Sequence, residues 1–322
     1  MLLFHALPRL EREGLLLAWT EQPLLCLGVH QEVEETVDSI ACEAAGVALM
    51  RRESGGSLFP LGAGTLLYQV VVRRERLDEE AERGALLHAM LAPLLETCRA
   101  LGLAVEQVAF GRFLAGDRLL FHATLMESGD FVGAAAYLHL RPLPEAITAL
   151  LRARDPDLTL ADVGIGANCE ALARYLHEEA MRRFDGLTPG EVDEPLRREA
   201  DGLAIRLLSP AWVVDRGRTF RRQSPLAHTG ILPRRGERET AGGTIRATVQ
   251  FDEDMQRVLS VVFSGDFFIF PADGLSWLEN ALENCPRHEI RTAIRRVYRF
   301  MPLETPGIAP DDWVEALNLP DY

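Results

Sequence analysis

Lysine is missing from this chain. All 34 basic residues among its 322 are arginine, although lysine is ordinarily among the commonest amino acids. A coding bias toward arginine explains the gap without any chemical demand, but it leaves every basic site to guanidinium groups. Cysteine is scarce: five residues, an odd number, without Cys-x-x-Cys spacing. That excludes a disulfide framework and a zinc module, and no metal-ligating set is expected. No apolar run is long enough to cross a bilayer. The first residues, MLLFHALPRLEREG, lack a basic stretch followed by a long apolar core, so no signal peptide and a cytoplasmic location are expected. Positive charge is in deficit too, with a net charge of −14. This excludes nonspecific nucleic-acid binding by the chain as a whole. A local basic pocket can still hold a small anion.

What is present is a globular composition, 48% hydrophobic and 25% charged, enough for a sizeable core in one large or two ordinary domains. The stretch GLLLAWTEQPLLCLGVHQ reads as two strands broken at Gln22-Pro23. Helical spacing runs through EEAERGALLHAMLAPLLETCRALG to a C-cap at Gly102, and through NCEALARYLHEEAMRRF from an N-cap at Asn168. VAFGRFLAGDRLLFHATLM reads as two strands joined by a tight Ala-Gly-Asp turn. From Thr219 to Thr240 the chain is rich in Arg, Pro and Gly without a pattern, and a linker or loop is expected. Beyond it, GGTIRATVQFDEDMQRVLSVVFSGDFFIF reads strand, turn, strand, followed by three helical segments. The expected boundaries are a β-rich unit over 1–190, a linker with a short helix over 191–224, and a smaller α+β unit over 225–322.

The stretch MRRESGGSLFPLGAGTLLYQVVV carries the most chemistry. Gly55 and Gly56 allow a turn whose successive N–H groups cradle an anion. Arg51 and Arg52 supply charge, though on a strand they face opposite ways and one of them is expected at the pocket. Ser54 and Ser57 add hydroxyls, and TLLYQVVV adds an apolar wall. An anion cradle against such a wall suits an amphipathic ligand with a carboxylate or phosphate head and an aliphatic tail.

Taken in order, these segments resemble the lipoate–protein ligase A family and the biotin ligase and octanoyltransferase fold around it. Gly28 to Gln31 match a Gly-x-x-Gln-like strand end, Arg51 to Gly56 an R-R-x-[ST]-G-G loop, and His122 to Met126 an H-[GA]-[TS]-L-L strand. SGDFFIF resembles a strand of the family's accessory domain. The resemblance implies an α+β protein, with mixed and antiparallel sheets flanked by helices in the catalytic domain and a small α+β accessory domain at the C-terminus. It implies activation of lipoate or octanoate with ATP and Mg2+, then transfer to a lysine of an acceptor lipoyl domain, without nucleic-acid or membrane partners. It places Arg51, Arg52, Ser54, Gly55, Gly56 and Ser57 at the ligand, with Tyr68 from the apolar strand, Gly116 from the hairpin, and Ala123 and Thr124 beside His122.

The departures fall on the reacting centre. Where relatives carry a lysine ahead of [IL]-[SA]-G, this sequence has Phe113, preceded by Arg112. Ser57 replaces a third glycine, Pro60 and Thr65 replace a histidine and an asparagine, and the N-terminal helix looks shortened. Three readings stay open. A ligase would use Arg112, with His122, at the reacting groups. A transferase would use Cys169, which opens a helix where the dipole lowers a thiol pKa. A binding protein would keep the fold without turnover.

Overall fold

The computed structural model describes residues 1–78, 81–152, 157–184, 187, 190–214 and 231–319. The chain divides into two compact units, Met1–Val29 with Val33–Val213, and His30–Glu32 with Val214–Tyr322. No helix among the described residues is long and apolar enough to cross a membrane.

The first unit carries strands β1 (Gly14–Trp19), β2 (Leu24–Leu27), β3 (Ala48–Arg51), β4 (Phe59–Leu61), β5 (Thr65–Arg73), β6 (Val105–Ala109), β7 (Arg112–Ala115), β8 (Arg118–Ser128) and β9 (Phe131–His139). One sheet runs β1-β5-β9-β8-β7-β6 with antiparallel neighbours, and a smaller one runs β3-β2-β4 with β2 and β3 parallel. Sheets of mixed sense with flanking helices are the expected α+β class. Strands β5 and β9 sit between neighbours and are buried on both faces, which is why β5 reads as a nearly unbroken apolar, β-branched run.

The two faces of the large sheet differ in what covers them. On one, the Arg83–Ala100 helix packs down, and the Tyr68 hydroxyl donates to the Met90 carbonyl at 2.9 Å. On the other lie the Leu2–Arg9 helix and the small sheet. Phe4 sits over Gly133, where a Cβ would come within 2.8 Å of its ring. Phe59 of β4 meets the Tyr137 ring edge-on at 5.0 Å. Because strand side chains alternate, Gln69, Ala135 and Thr124 share this second face, while Tyr68, Ala136 and Ala123 share the first.

The second unit holds β10 (Arg234–Thr240), β11 (Gly243–Asp252), β12 (Arg257–Gly265) and β13 (Cys285–Pro286) in an antiparallel sheet. Helices Gly274–Leu282, Ile290–Phe300 and Pro310–Ala316 close a core around Phe263, Phe267 and Trp313. The His30 ring stacks on Phe267 within this unit.

Three segments differ from expectation. Residues 194–213, expected as a linker with a short helix, form two helices, Glu194–Leu207 and Pro210–Val213, of the first unit. Asp193 caps the first of them at the Leu196 amide and pairs with Arg12. The polar sequence hid an amphipathic stripe of Leu196, Ala200, Leu203 and Leu207. The expected loop over 219–240 lies outside the described residues to 230, but Arg234–Thr240 is a strand. It is an edge strand with exposed side chains, so no apolar alternation marks it. In SGDFFIF the strand stops at Gly265, whose φ is +149°. Asp266 instead accepts a bond from the Thr244 amide at 2.7 Å.

Candidate functional site

The glycine loop joins β3 to β4, and its carbonyls turn inward. The Ser54 carbonyl accepts from the Val29 amide at 2.9 Å. That of Gly55 accepts from the Thr124 hydroxyl at 2.9 Å and from Arg52 at 2.8 Å. The Ser57 carbonyl takes a second bond from Arg52 at 2.7 Å. The Gly56 carbonyl lies against Gly28 so closely that a Cβ there would stand 2.0 Å away, which explains the glycine at 28. Each amide N–H points opposite the carbonyl of its own planar peptide. The Gly55 and Gly56 N–H groups therefore face outward, and among the described residues neither donates a hydrogen bond. The loop has the form of an anion cradle.

Both arginines are turned into the protein, which corrects the expectation that one of them reaches the pocket. Arg51 donates to the carbonyls of Gly28, Val29, Trp212 and Val213, and Trp212 returns a bond from its indole to the Arg51 carbonyl. Arg52 donates to Cys26, Gly55 and Ser57 and lies 4.4 Å from the Phe59 ring centroid. It is fully buried, and among the described residues no carboxylate pairs with it. Burial lowers its pKa below the ordinary arginine value, so its charge lacks a full partner. A negative ligand held at the loop amides would supply one. Among the described residues, the buried Ser54 hydroxyl and Arg52 Nε also lack hydrogen-bond partners.

Strands β7 and β8 decide which side chains join the loop. Arg112 pairs directly with His122, and the Gly111 carbonyl accepts from the Ala123 amide at 2.7 Å. Directly opposed residues in an antiparallel pair share a face. Arg112 and His122 thus lie on the side where Thr124 holds the loop, with Arg112 exposed and His122 half-buried. Phe113 lies on the opposite side, fully buried, stacked on Phe121 at 4.7 Å and edge-on to His88 of the Arg83–Ala100 helix. Tyr68 and Ala123 also belong to that side and are buried, so their expected place at the ligand is corrected. Gly116 only turns the β7–β8 hairpin, with φ +66°. Position in the motif pointed to Phe113, but the register puts Arg112 on the loop side.

With this geometry in hand, the comparisons are specific. The chain is 38% identical over 77 residues to the lipoate-protein ligase A subunit 2 of Thermoplasma acidophilum, which is 24% of this chain and 79% of that protein. The chain belongs to the lipoate–protein ligase family. A lipoyl protein ligase A/B catalytic domain model matches residues 2–116. The same fold occurs in P. falciparum LipL1 in complex with lipoate, with a TM-score of 0.66 at 11% identity over 91% of this chain and 83% of that one. It occurs again in the bipartite lipoate protein ligase of T. acidophilum, solved with its E2 lipoyl domain, with a TM-score of 0.57 at 15% identity over 66% of this chain and 89% of that one.

For a lipoate–protein ligase family member the cysteine expectation needs correction. Cys169 opens the Cys169–Arg183 helix, capped by Asn168. Its thiol pKa is nonetheless raised, because burial outweighs the lowering by Arg141 and by a backbone hydrogen bond. The charged groups acting on it are Arg141 and Glu21, not the glycine loop. The sequence also gave no role to Glu53, which ties the loop to two helices. It pairs with Arg9 on one and Arg206 on the other and approaches His5 within 3.6 Å. A lone acid inside R-R-E-S-G-G was the available signal.

Proposed function

We propose that this protein is an ATP-dependent lipoate or octanoate ligase that uses Arg112 where relatives use lysine. The observation that carries the reading is the shared face: outward loop amides, the Thr124 clamp, His122 and the exposed Arg112 converge on one side of the sheet. The buried Arg52 charge lies behind the loop. A carboxylate oxygen of the acid attacks the α-phosphorus of ATP and expels pyrophosphate. The cradle amides take up the oxyanion charge, and Arg112, with its planar fork, bridges the phosphate and the acyl carbonyl. The lysine amine of a lipoyl domain then attacks that carbonyl, loses a proton, and AMP departs. Positioning and charge stabilisation account for most of the rate in this chemistry. Magnesium accompanies the nucleotide phosphates. The described residues gather no group of three His, Cys, Asp or Glu that could hold a metal ion, and no protein ligand is assigned to it.

The test is the intact mass of a lipoyl domain incubated with the protein, Mg2+, ATP and lipoate or octanoate. An acyl mass increment that requires ATP is expected, and it should persist at an unchanged rate in Cys169→Ala. An increment from carrier-bound octanoate that needs Cys169 but not ATP would replace the ligase with a transferase. No increment from a folded sample would leave a binding protein.

A further inference from the structure

The last segment of the first unit forms a bracket that grips the chain on both sides of Arg52. Ser209 and Pro210 separate the Glu194–Leu207 helix from the short helix Pro210–Val213. The Ser209 hydroxyl donates to the Arg206 carbonyl at 2.8 Å and accepts from the Trp212 amide at 3.2 Å. This bend sets Arg206 against the indole, its guanidinium carbon 5.0 Å from the ring centroid. The Trp212 indole donates to the Arg51 carbonyl at 2.9 Å, and Arg206 pairs with the Glu53 carboxylate. The Arg51 guanidinium answers with bonds to the Trp212 and Val213 carbonyls. Residues two apart on an extended chain share a side. Arg51 and Glu53 both meet the bracket, and Arg52 between them turns to the loop carbonyls of Gly55 and Ser57.

We propose that Arg206 and Trp212 are positioning residues for the anion cradle and act on it through Arg52. The effect on rate rests on the ligase reading, while the effect on the loop does not. An exposed ion pair such as Arg206 with Glu53 contributes little alone. Here the indole face holds the guanidinium in place, and the indole N–H holds the peptide that precedes Arg52. With both of its neighbours fixed, the Arg52 fork is aimed at the two loop carbonyls. The Gly55 carbonyl it holds belongs to the peptide that carries the Gly56 N–H, so that N–H stays outward. Loosening the bracket frees Arg52 to tilt, and the cradle loses its direction.

Two measurements on the full chain test this: deuterium exchange read by mass spectrometry, and ATP–pyrophosphate exchange driven by lipoate. The variants are Arg206→Ala, Trp212→Phe and Asp193→Ala. Trp212→Phe keeps an aromatic face for Arg206 but lacks the indole donor. Asp193→Ala uncaps the same helix and loses the Arg12 pair without touching the bracket. It should melt lower than wild type yet match it in pyrophosphate exchange. The amides of Val29, Arg52 and Glu53 bond across the base of the loop. In Arg206→Ala and Trp212→Phe they should take up deuterium about tenfold faster than in wild type. The kcat for pyrophosphate exchange should fall about tenfold in both, at a nearly unchanged KM for lipoate. Arg206→Lys should recover part of kcat through its pair with Glu53. Deuterium uptake at these amides as slow in both variants as in wild type would overturn the proposal. So would a kcat loss in Asp193→Ala equal to theirs. If wild type catalyses no pyrophosphate exchange, the ligase reading fails separately, and the deuterium result still decides the bracket.

Discussion

Replacing Arg112 with alanine should lower acyl-adenylate formation by about a hundredfold or more, the loss seen when one preorganised donor to a developing charge is removed. ATP–pyrophosphate exchange driven by lipoate measures this step apart from transfer. The substitution sits on an exposed face of β7, so the melting temperature should hold. Arg112→Lys should retain part of the activity as a point charge that contacts one oxygen at a time. The decisive contrast is Phe113→Lys, which restores the family's residue at the family's motif position. Phe113 is buried between Phe121 and His88, so an ammonium there is unpaired and should unfold the hairpin rather than raise activity. Exchange in Arg112→Ala within a few-fold of wild type would end the arginine proposal.

The second large effect is expected at Arg52. Arg52→Met keeps much of the volume but takes away the donor shared by the carbonyls of Cys26, Gly55 and Ser57, leaving Gly55 with Thr124 alone. Leaving a buried acceptor unsatisfied costs about 1–3 kcal/mol for each group, so a fall in melting temperature of roughly 10 °C is expected. Exchange activity should vanish as well, because the loop carbonyls would be free to turn and the outward amides would lose their direction. Arg52→Lys should fall between, since one ammonium cannot span Cys26 on one side and Ser57 on the other. A variant that melts like wild type and still forms adenylate would show that Thr124 and the Val29 amide hold the loop without it.

Arginine beside a glycine turn invites the assumption that its charge is for the ligand. The structure assigns that charge to the loop's own carbonyls, and the Gly55 and Gly56 N–H groups donate to none of the described residues. Arg51 makes the same point at a greater sequence distance, gripping Gly28 and Val29 from one direction and Trp212 and Val213 from another. For Arg51 no local pattern could show this, because its carbonyls come from chain segments far apart in sequence. Cys169 repeats the lesson for electrostatics. Its place at a helix start was legible, but the burial that raises its pKa depends on what packs over it.

The sequence by itself determined the elements and the motif. Apolar runs marked strands such as β1 and β5, helical spacing marked Arg83–Ala100 and Cys169–Arg183, and paired glycines marked the loop. These are local consequences of backbone sterics and side-chain period, so a short window contains them. Only the tertiary structure decided which face each residue serves. Arg112 and Phe113 are adjacent in sequence and point to opposite sides, and the pairing of Arg112 with His122 says which of them lies on the loop side of the sheet. Register is fixed by contacts between distant strands, and a shift of one residue exchanges the two faces.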